Sequence, residues 1–200
     1  MNYLAHLFLA EDNFEHRIGS LLADFTNGTI SNLAKRFSYG VARGIKHHRA
    51  VDRYTDSHQA VAHSVALLQK EYGFYAGIII DVVFDHFLLR NWTLFSSVKP
   101  EIFFEEIYLA LSKGDFDYPE RYQIMLDRLL DIKWLGVYAN LENVGVALRK
   151  IDERFSRETP LPHALKGIRQ HYTYIEADFL LFFPDLIKYS KIIDSNFDML

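Results

Sequence analysis

His48 and Asp52 stand four residues apart in His48-Arg49-Ala50-Val51-Asp52, and Asp81 and Asp85 stand four apart in Asp81-Val82-Val83-Phe84-Asp85-His86. On an α-helix, residues at that spacing share a face, so each pair can aim at one small volume. Imidazoles and carboxylates that meet in one volume suit a divalent metal ion, and such an ion can activate water for hydrolysis near neutral pH. Seven of the nine histidines lie within the first 86 residues, which concentrates this chemistry in the N-terminal part of the chain. His6 follows Asn2 by four residues, and Asp24 ends the apolar run Leu21-Leu22-Ala23. Arg49, beside His48, offers a planar, multi-donor group suited to phosphate.

Each of these residues also has a structural reading. Asp81 or Asp85 could pair with Arg49 or Arg90, and His86 could be a satisfied core histidine. Asp24 could bond local backbone at a helix end. Asp56 continues the His48–Asp52 line but suits the cap of the next helix, His58 and His63 suit an exposed face, and His16 beside Arg17 reads as surface. The constellation argues for chemistry more strongly than any member does, because ionisable groups in an apolar helix are costly unless paired or metal-bound. Other templates fail: there is no Walker A loop, G-x-G-x-x-G, H-E-x-x-H or nucleophile elbow, and no nucleic-acid module.

The elements that must position these residues read as helices. Apolar residues recur mostly at helical spacing, and clear period-two strands are missing. The spacing predicts helices near Asn2–Ala10, Glu15–Phe25, Tyr39–Tyr54, Asp56/Ser57–Tyr72, Phe74–Trp92, Pro100–Ser112, Glu120–Ile132, Leu141–Ser156, Pro162–His171 and Tyr172–Lys191. Asn27-Gly28 marks a turn, Gly114–Tyr118 a loop, Gly73 a helix end, and Pro184 a break in the last helix. Phe74–Trp92 is strongly apolar and should cross the centre. The predicted fold is all-α, with residues 1–200 as a single domain.

Composition narrows the class further. There is no cysteine, which removes disulfides and thiolate metal sites and suits a reducing cytoplasm. The first residues do not look like a signal peptide, and the longest apolar stretch, Ala76–Leu89, is broken by Asp81, Asp85 and His86, so no membrane partner is expected. The net charge of −4 hides a basic stripe. Between Leu33 and Tyr54, Lys35, Arg36, Arg43, Lys46, Arg49 and Arg53 face the single acid Asp52. Such a stripe could steer an acidic partner or hold phosphate, or could be a solvated helix face.

Taken in order, these pieces resemble the acyl carrier protein phosphodiesterase (holo-ACP hydrolase) family, a divergent relative of the HD-domain metal phosphohydrolases. The resemblance is carried by Met1-Asn2-Tyr3-Leu4-Ala5-His6-Leu7, Gly19-Ser20-Leu21-Leu22-Ala23-Asp24-Phe25, Gly44-Ile45, His48-Arg49-x-Val51-Asp52-x-x-Thr55-Asp56 and Asp81-x-x-x-Asp85-His86-Phe87-Leu88. A weaker match runs through Tyr172 and Phe183-Pro184. Adjacent His-Asp dipeptides of the wider superfamily are absent, and the adjacent pair is reversed as Asp85-His86. The resemblance implies an all-helical, HD-domain-like fold, a divalent ion, typically Mn2+, and hydrolysis of the phosphodiester joining 4′-phosphopantetheine to a serine of holo-acyl carrier protein. Asp24, His48, Asp52 and Asp85 are then expected around the metal, with Asp81 beside them as a further ligand or a support. Arg49 is expected to clamp a phosphoryl oxygen, and His6 or His86 to protonate the departing serine oxygen. Lys35, Arg36, Arg43, Lys46 and Arg53 are expected to meet the acidic carrier protein. Two other functions fit the same residues: a metal phosphohydrolase of a small phosphoester or nucleotide, and a non-enzymatic helical binding protein.

Overall fold

The computed structural model describes residues 1–113 and 118–195, with no strand among them. Eleven α-helices follow one another: α1 (Tyr3–Leu9), α2 (Phe14–Leu22), α3 (Ile30–Arg36), α4 (Tyr39–Ser57), α5 (Gln59–Tyr72), α6 (Tyr75–Arg90), α7 (Pro100–Leu111), α8 (Glu120–Ile132), α9 (Leu141–Asp152), α10 (Ala164–Gln170) and α11 (Tyr172–Ser195). The all-α expectation holds. Short 3-10 turns sit at Ala23–Phe25, Trp92–Leu94, Trp134–Ala139 and Leu161–His163.

Helix α6 is the hub. Ile79, Ile80, Val83, Phe84, Phe87 and Leu88 are all buried, which covers more than one face of the helix. A helix apolar all round has nowhere to go but the interior. From α11, Phe179 and Phe182 pack on Phe84 with ring centroids 5.3 and 5.7 Å apart. Phe179 also lies 6.1 Å from Phe87. Truncating one such ring to alanine costs about 3–5 kcal/mol in a typical core, so α6 is held firmly enough to carry Asp81 and Asp85 within its length.

Two glycines set the crossing that matters for the site. A Cβ on Gly19 of α2 would collide with the Val41 carbonyl of α4, and a Cβ on Gly44 of α4 would collide with the His16 carbonyl of α2. Glycine inside a helix costs roughly 0.5–1 kcal/mol against alanine. That cost is offset here by backbones that pass in direct contact, which brings the C-terminal end of α2 against the middle of α4.

Some boundaries differ from the sequence expectation. Helix α3 was not predicted. It is short and buries only Leu33, so its apolar period is weak, although Thr29 caps it by accepting from Asn32 N at 3.3 Å. Neither Asp56 nor Ser57 caps α5; both lie in α4, and His58 Nδ1 accepts from Ala60 N at 3.2 Å instead. Helix α11 runs through Pro184 without a break. His16 and Arg17 are buried, not surface residues: the Gly19–Gly44 crossing closes over them. The loop expected at Gly114–Tyr118 lies outside the described residues except for Tyr118.

Candidate metal centre

Four elements meet over a small volume: α1, the end of α2, the middle of α4 and the middle of α6. His6 of α1 and His48 of α4 stack face to face, ring centroids 3.7 Å apart and 12° from parallel. Both rings are buried. Asp52, one turn beyond His48, reaches both: Oδ2 lies 3.0 Å from His48 Nε2, and Oδ1 lies 3.1 Å from His6 Nε2. Asp24, in the turn that ends α2, approaches His48 Nε2 at 3.2 Å from the other side and is half exposed. The site is therefore closed on its α1 side and open on its Asp24 side.

The sequence arranges each ring separately. His48 Nδ1 lies 2.7 Å from the Ser20 carbonyl, which can only accept, so Nδ1 carries the hydrogen and Nε2 faces the carboxylates. That bond depends on the glycine crossing. Helix α1 is held by Asp85, whose two oxygens accept from Leu4 N at 3.1 Å and Ala5 N at 3.0 Å. These are otherwise unpaired donors of a helix's first turn, so a carboxylate from α6 caps α1 in space and fixes His6.

Two stacked imidazoles this close cannot share the site as two cations. Burial, together with the neighbouring His48, pushes the His6 pKa down to about 3. Burial also disfavours charge on His48, but Asp24 and Asp52 outweigh it and raise His48 to about 9. Burial works against ionised Asp52 as well, yet its contacts with the His48 and His6 imidazoles hold it far below the usual carboxylate range. The α-ammonium of Met1 completes the electrostatics, 3.1 Å from Asp81 Oδ1 and 3.5 Å from Asp52 Oδ1.

His6, His48 and Asp52 each turn one ligand atom into the same space, all within 4.8 Å of one another, and they are the group among the described residues suited to a metal ion. The buried His6 ring makes no well-aligned hydrogen bond at either nitrogen, its Nε2 having only the 3.1 Å ion-pair contact with Asp52. An unsatisfied buried imidazole is costly, and a cation between His6, His48 and Asp52 would satisfy it. The donor set, two imidazole nitrogens with carboxylate oxygens, suits a divalent transition ion.

The other predicted residues fall elsewhere. Arg49 closes the turn after Asp24: Nη1 donates to Gly28 O at 2.7 Å and Nη2 to Thr26 O at 3.0 Å. Both oxygens of Asp85 serve the α1 backbone, and Asp81 meets the Met1 ammonium. His86 is the satisfied histidine of the structural reading: Nδ1 donates to Tyr138 O and Nε2 accepts from Tyr172 Oη, each at 2.7 Å. Of the basic stripe, Lys35, Arg36 and Arg53 are exposed, Lys46 is half-buried, and Arg43 pairs with Glu11. His63, exposed as expected, lies 2.8 Å from Asp178. Sequence reasoning missed the stacking of His6 on His48, since nothing in the spacing says that α1 crosses α4.

Fold and site together describe an all-helical protein in which buried His6 and His48 meet the part-exposed Asp52 in a group that could hold a metal ion, beside the half-exposed Asp24. The profile of the family described as acyl carrier protein phosphodiesterase matches residues 1–186, and the chain belongs to that family. The acyl carrier protein phosphodiesterase of Photorhabdus laumondii is 32% identical over 189 residues, 94% of each chain. Those of Serratia proteamaculans and Pectobacterium atrosepticum are 33% and 30% identical over 192 residues, 96% of this chain and 98% of theirs. No solved structure matches the chain significantly.

Proposed function

We propose that this protein hydrolyses the phosphodiester that joins 4′-phosphopantetheine to the serine of holo-acyl carrier protein, releasing apo-carrier protein and 4′-phosphopantetheine in the cytoplasm. The observation that carries the reading is the stacked His6–His48 pair spanned by Asp52, in a chain whose relatives are named for this substrate. His6, His48 and Asp52 would hold a divalent ion, with Mn2+ the first to try. When bound, such an ion polarises the phosphoryl group and activates water at neutral pH.

The chain's own residues do the rest. Ser20 keeps the His48 hydrogen on Nδ1 and leaves Nε2 for the centre. Asp24, half exposed beside His48, would take a proton from the attacking water at its Oδ2. Arg49 holds the Thr26–Gly28 turn, and so Asp24, in place. The exposed Lys35, Arg36 and Arg53 offer positive charge to an acidic carrier surface. No helix among the described residues is long and apolar enough to cross a membrane, which agrees with a protein substrate met in solution.

The test is the intact mass of holo-acyl carrier protein incubated with the protein and manganese, with a chelator control. Loss of the phosphopantetheinyl group, abolished by chelator, is the expected result. An unchanged carrier mass, with release of phosphate from nucleotides or other small phosphoesters, would replace this reading with a small-substrate phosphohydrolase.

A further inference from the structure

A buried hydrogen-bond chain links the helices of the stacked rings, and the reaction above gives it no role. Ser190, near the end of α11, donates its Oγ–H to the Leu9 carbonyl at 3.1 Å. His47 Nε2 lies 2.9 Å from the same Oγ. A serine has one hydroxyl hydrogen, and a carbonyl can only accept. With that hydrogen on Leu9, Oγ accepts from His47, so His47 carries a hydrogen on Nε2. His48, the next residue, carries its hydrogen on Nδ1 and turns Nε2 to the carboxylates. Neighbours on a helix point about 100° apart, so α4 aims one imidazole at the centre and the other at α11.

Both ends of this chain lie on elements that carry the stacked rings. Leu9 closes α1, and its carbonyl is one that a helix end leaves without a partner in the helix. The opposite end of α1 is capped by Asp85. From α2, Ser20 Oγ donates to the His6 carbonyl at 3.3 Å. A helix of seven residues has little stability of its own, so these bonds from α2, α6 and α11 decide where His6 lies. On the α4 side, the His16 ring meets His47 at 5.0 Å and 61° and sets its direction. Ser190, His47, His16 and Leu9 are all buried, so removing the hydroxyl strands polar groups away from water. Ser190 follows Pro184 on the same helix, and the unbroken course of α11 is what carries it to Leu9.

We propose that Ser190 and His47 are positioning residues for the candidate metal centre. The chain from His47 Nε2–H through Ser190 Oγ–H to Leu9 O clamps α1 to α4 and holds the His6 ring over His48. Its functional consequence rests on the reading that His6, His48 and Asp52 hold the ion. The clamp acts through the two helices, by keeping both imidazoles where one cation can meet them.

Proton NMR of the metal-free protein reads the stack independently of metal and of catalysis. Carbon-bound protons of rings stacked 3.7 Å apart lie upfield by ring current. Ser190→Ala should move those of His6 and His48 toward ordinary histidine positions, and Ser190→Thr, which keeps the hydroxyl, should hold them. Nitrogen NMR of labelled histidine rings should show a hydrogen on His47 Nε2, assigned by its loss in His47→Leu. Manganese titration followed by electron paramagnetic resonance should show Ser190→Ala binding about tenfold more weakly, with Ser190→Thr within about threefold of wild type. His47→Leu leaves Ser190 on Leu9 and should give a smaller loss in the same direction, which keeps the test decisive where Ser190→Ala fails to fold by circular dichroism. An unchanged stack in the folded variants, a His47 ring without hydrogen on Nε2, or a loosened stack that binds manganese as the wild type does overturns the clamp. Activity on holo-carrier protein is read separately. Cleavage by a wild type whose stack and manganese affinity ignore Ser190 removes the clamp and leaves the reaction. A stack that loosens in Ser190→Ala, in a chain whose wild type neither takes up manganese nor cleaves the carrier, removes the reaction and leaves the clamp.

Discussion

From one carboxylate, Asp52 reaches His6, His48 and the Met1 ammonium. Its removal should silence the centre while sparing the core, because Asp52 is more than one-third exposed. Asp52→Ala should lower turnover of holo-carrier protein by about 100-fold or more and abolish manganese uptake, with the helical circular dichroism unchanged. Retained metal binding with turnover within a few-fold of wild type would place the ion elsewhere. At this scale the sequence was informative about pairs and silent about crossings. The i, i+4 rule put His48 and Asp52 on one face, since spacing within a helix is fixed geometry. It also put Asp81 and Asp85 on one face, yet their partners come from the chain's first five residues, the Met1 ammonium and the Leu4 and Ala5 amides. Arg49 read as a phosphate clamp by its neighbour in sequence, whereas its terminal nitrogens meet the Thr26 and Gly28 carbonyls.

At the scale of elements, the centre depends on two devices: the glycine crossing of α2 and α4, and the capping of α1 by α6. Gly44→Ala should gain up to about 1 kcal/mol in helix propensity and lose more, about 1–3 kcal/mol, by forcing the helices apart. It should also weaken metal binding, since the Ser20–His48 bond spans that crossing. A urea midpoint that rises would show that the backbones relax at no cost. The Asp85 cap carries a pH signature. Burial pushes its carboxyl up to about 7, against the pull of the Ala5 and Leu4 amides. The folded value lies above the unfolded one, so the native state binds the extra proton, and this group's contribution to stability falls as pH rises from about 4 to about 7. Asp85→Asn lacks that term and leaves one α1 amide facing an NH2 group, so it should be less stable throughout, by a margin that narrows toward neutral pH. Urea midpoints at both ends of the range decide it; a margin that widens toward neutrality would mean that α1 requires the carboxylate charge. Most of the helices were legible because apolar periodicity is a strong signal in elements of twelve residues or more, as α4 through α9 show. Short α3 was not, with one buried side chain in seven residues, nor was the continuity of α11 through Pro184, where packing of Phe179, Phe182 and Phe183 outweighs one missing backbone donor.

For the whole molecule, charge decides how a partner arrives. The chain is acidic at −4, but α3 and α4 carry the basic stripe. Packing removes part of it from play, since Arg43 meets Glu11, and Arg17 behind it meets Asp12. Lys35 and Arg36, in the last turn of α3, stay in solvent, Arg36 lying 5.0 Å from the Phe37 ring centroid. Their position at a helix C-terminus favours positive charge, so the fold tolerates them whether or not a partner uses them. Function therefore has to be read from the salt dependence. If the stripe steers an acidic carrier protein, Lys35→Glu with Arg36→Glu should lower kcat/KM on holo-carrier protein by about tenfold at low salt, and by little near 0.5 M, where a Debye length of roughly 4 Å screens exposed charges. The kcat should hold, because neither residue touches the centre. Hydrolysis of a small phosphodiester, which needs no docking, should be the same in the variant and the wild type at every salt concentration. Plots of log kcat/KM against log salt should then converge at high salt for the carrier. If they run parallel, the exposed bases are a solvated helix face and the carrier docks by another surface. If the small diester slows as well, the reversal has disturbed the Asp24 turn, because Arg49 and the Thr26–Gly28 backbone are the link between α3, α4 and the centre.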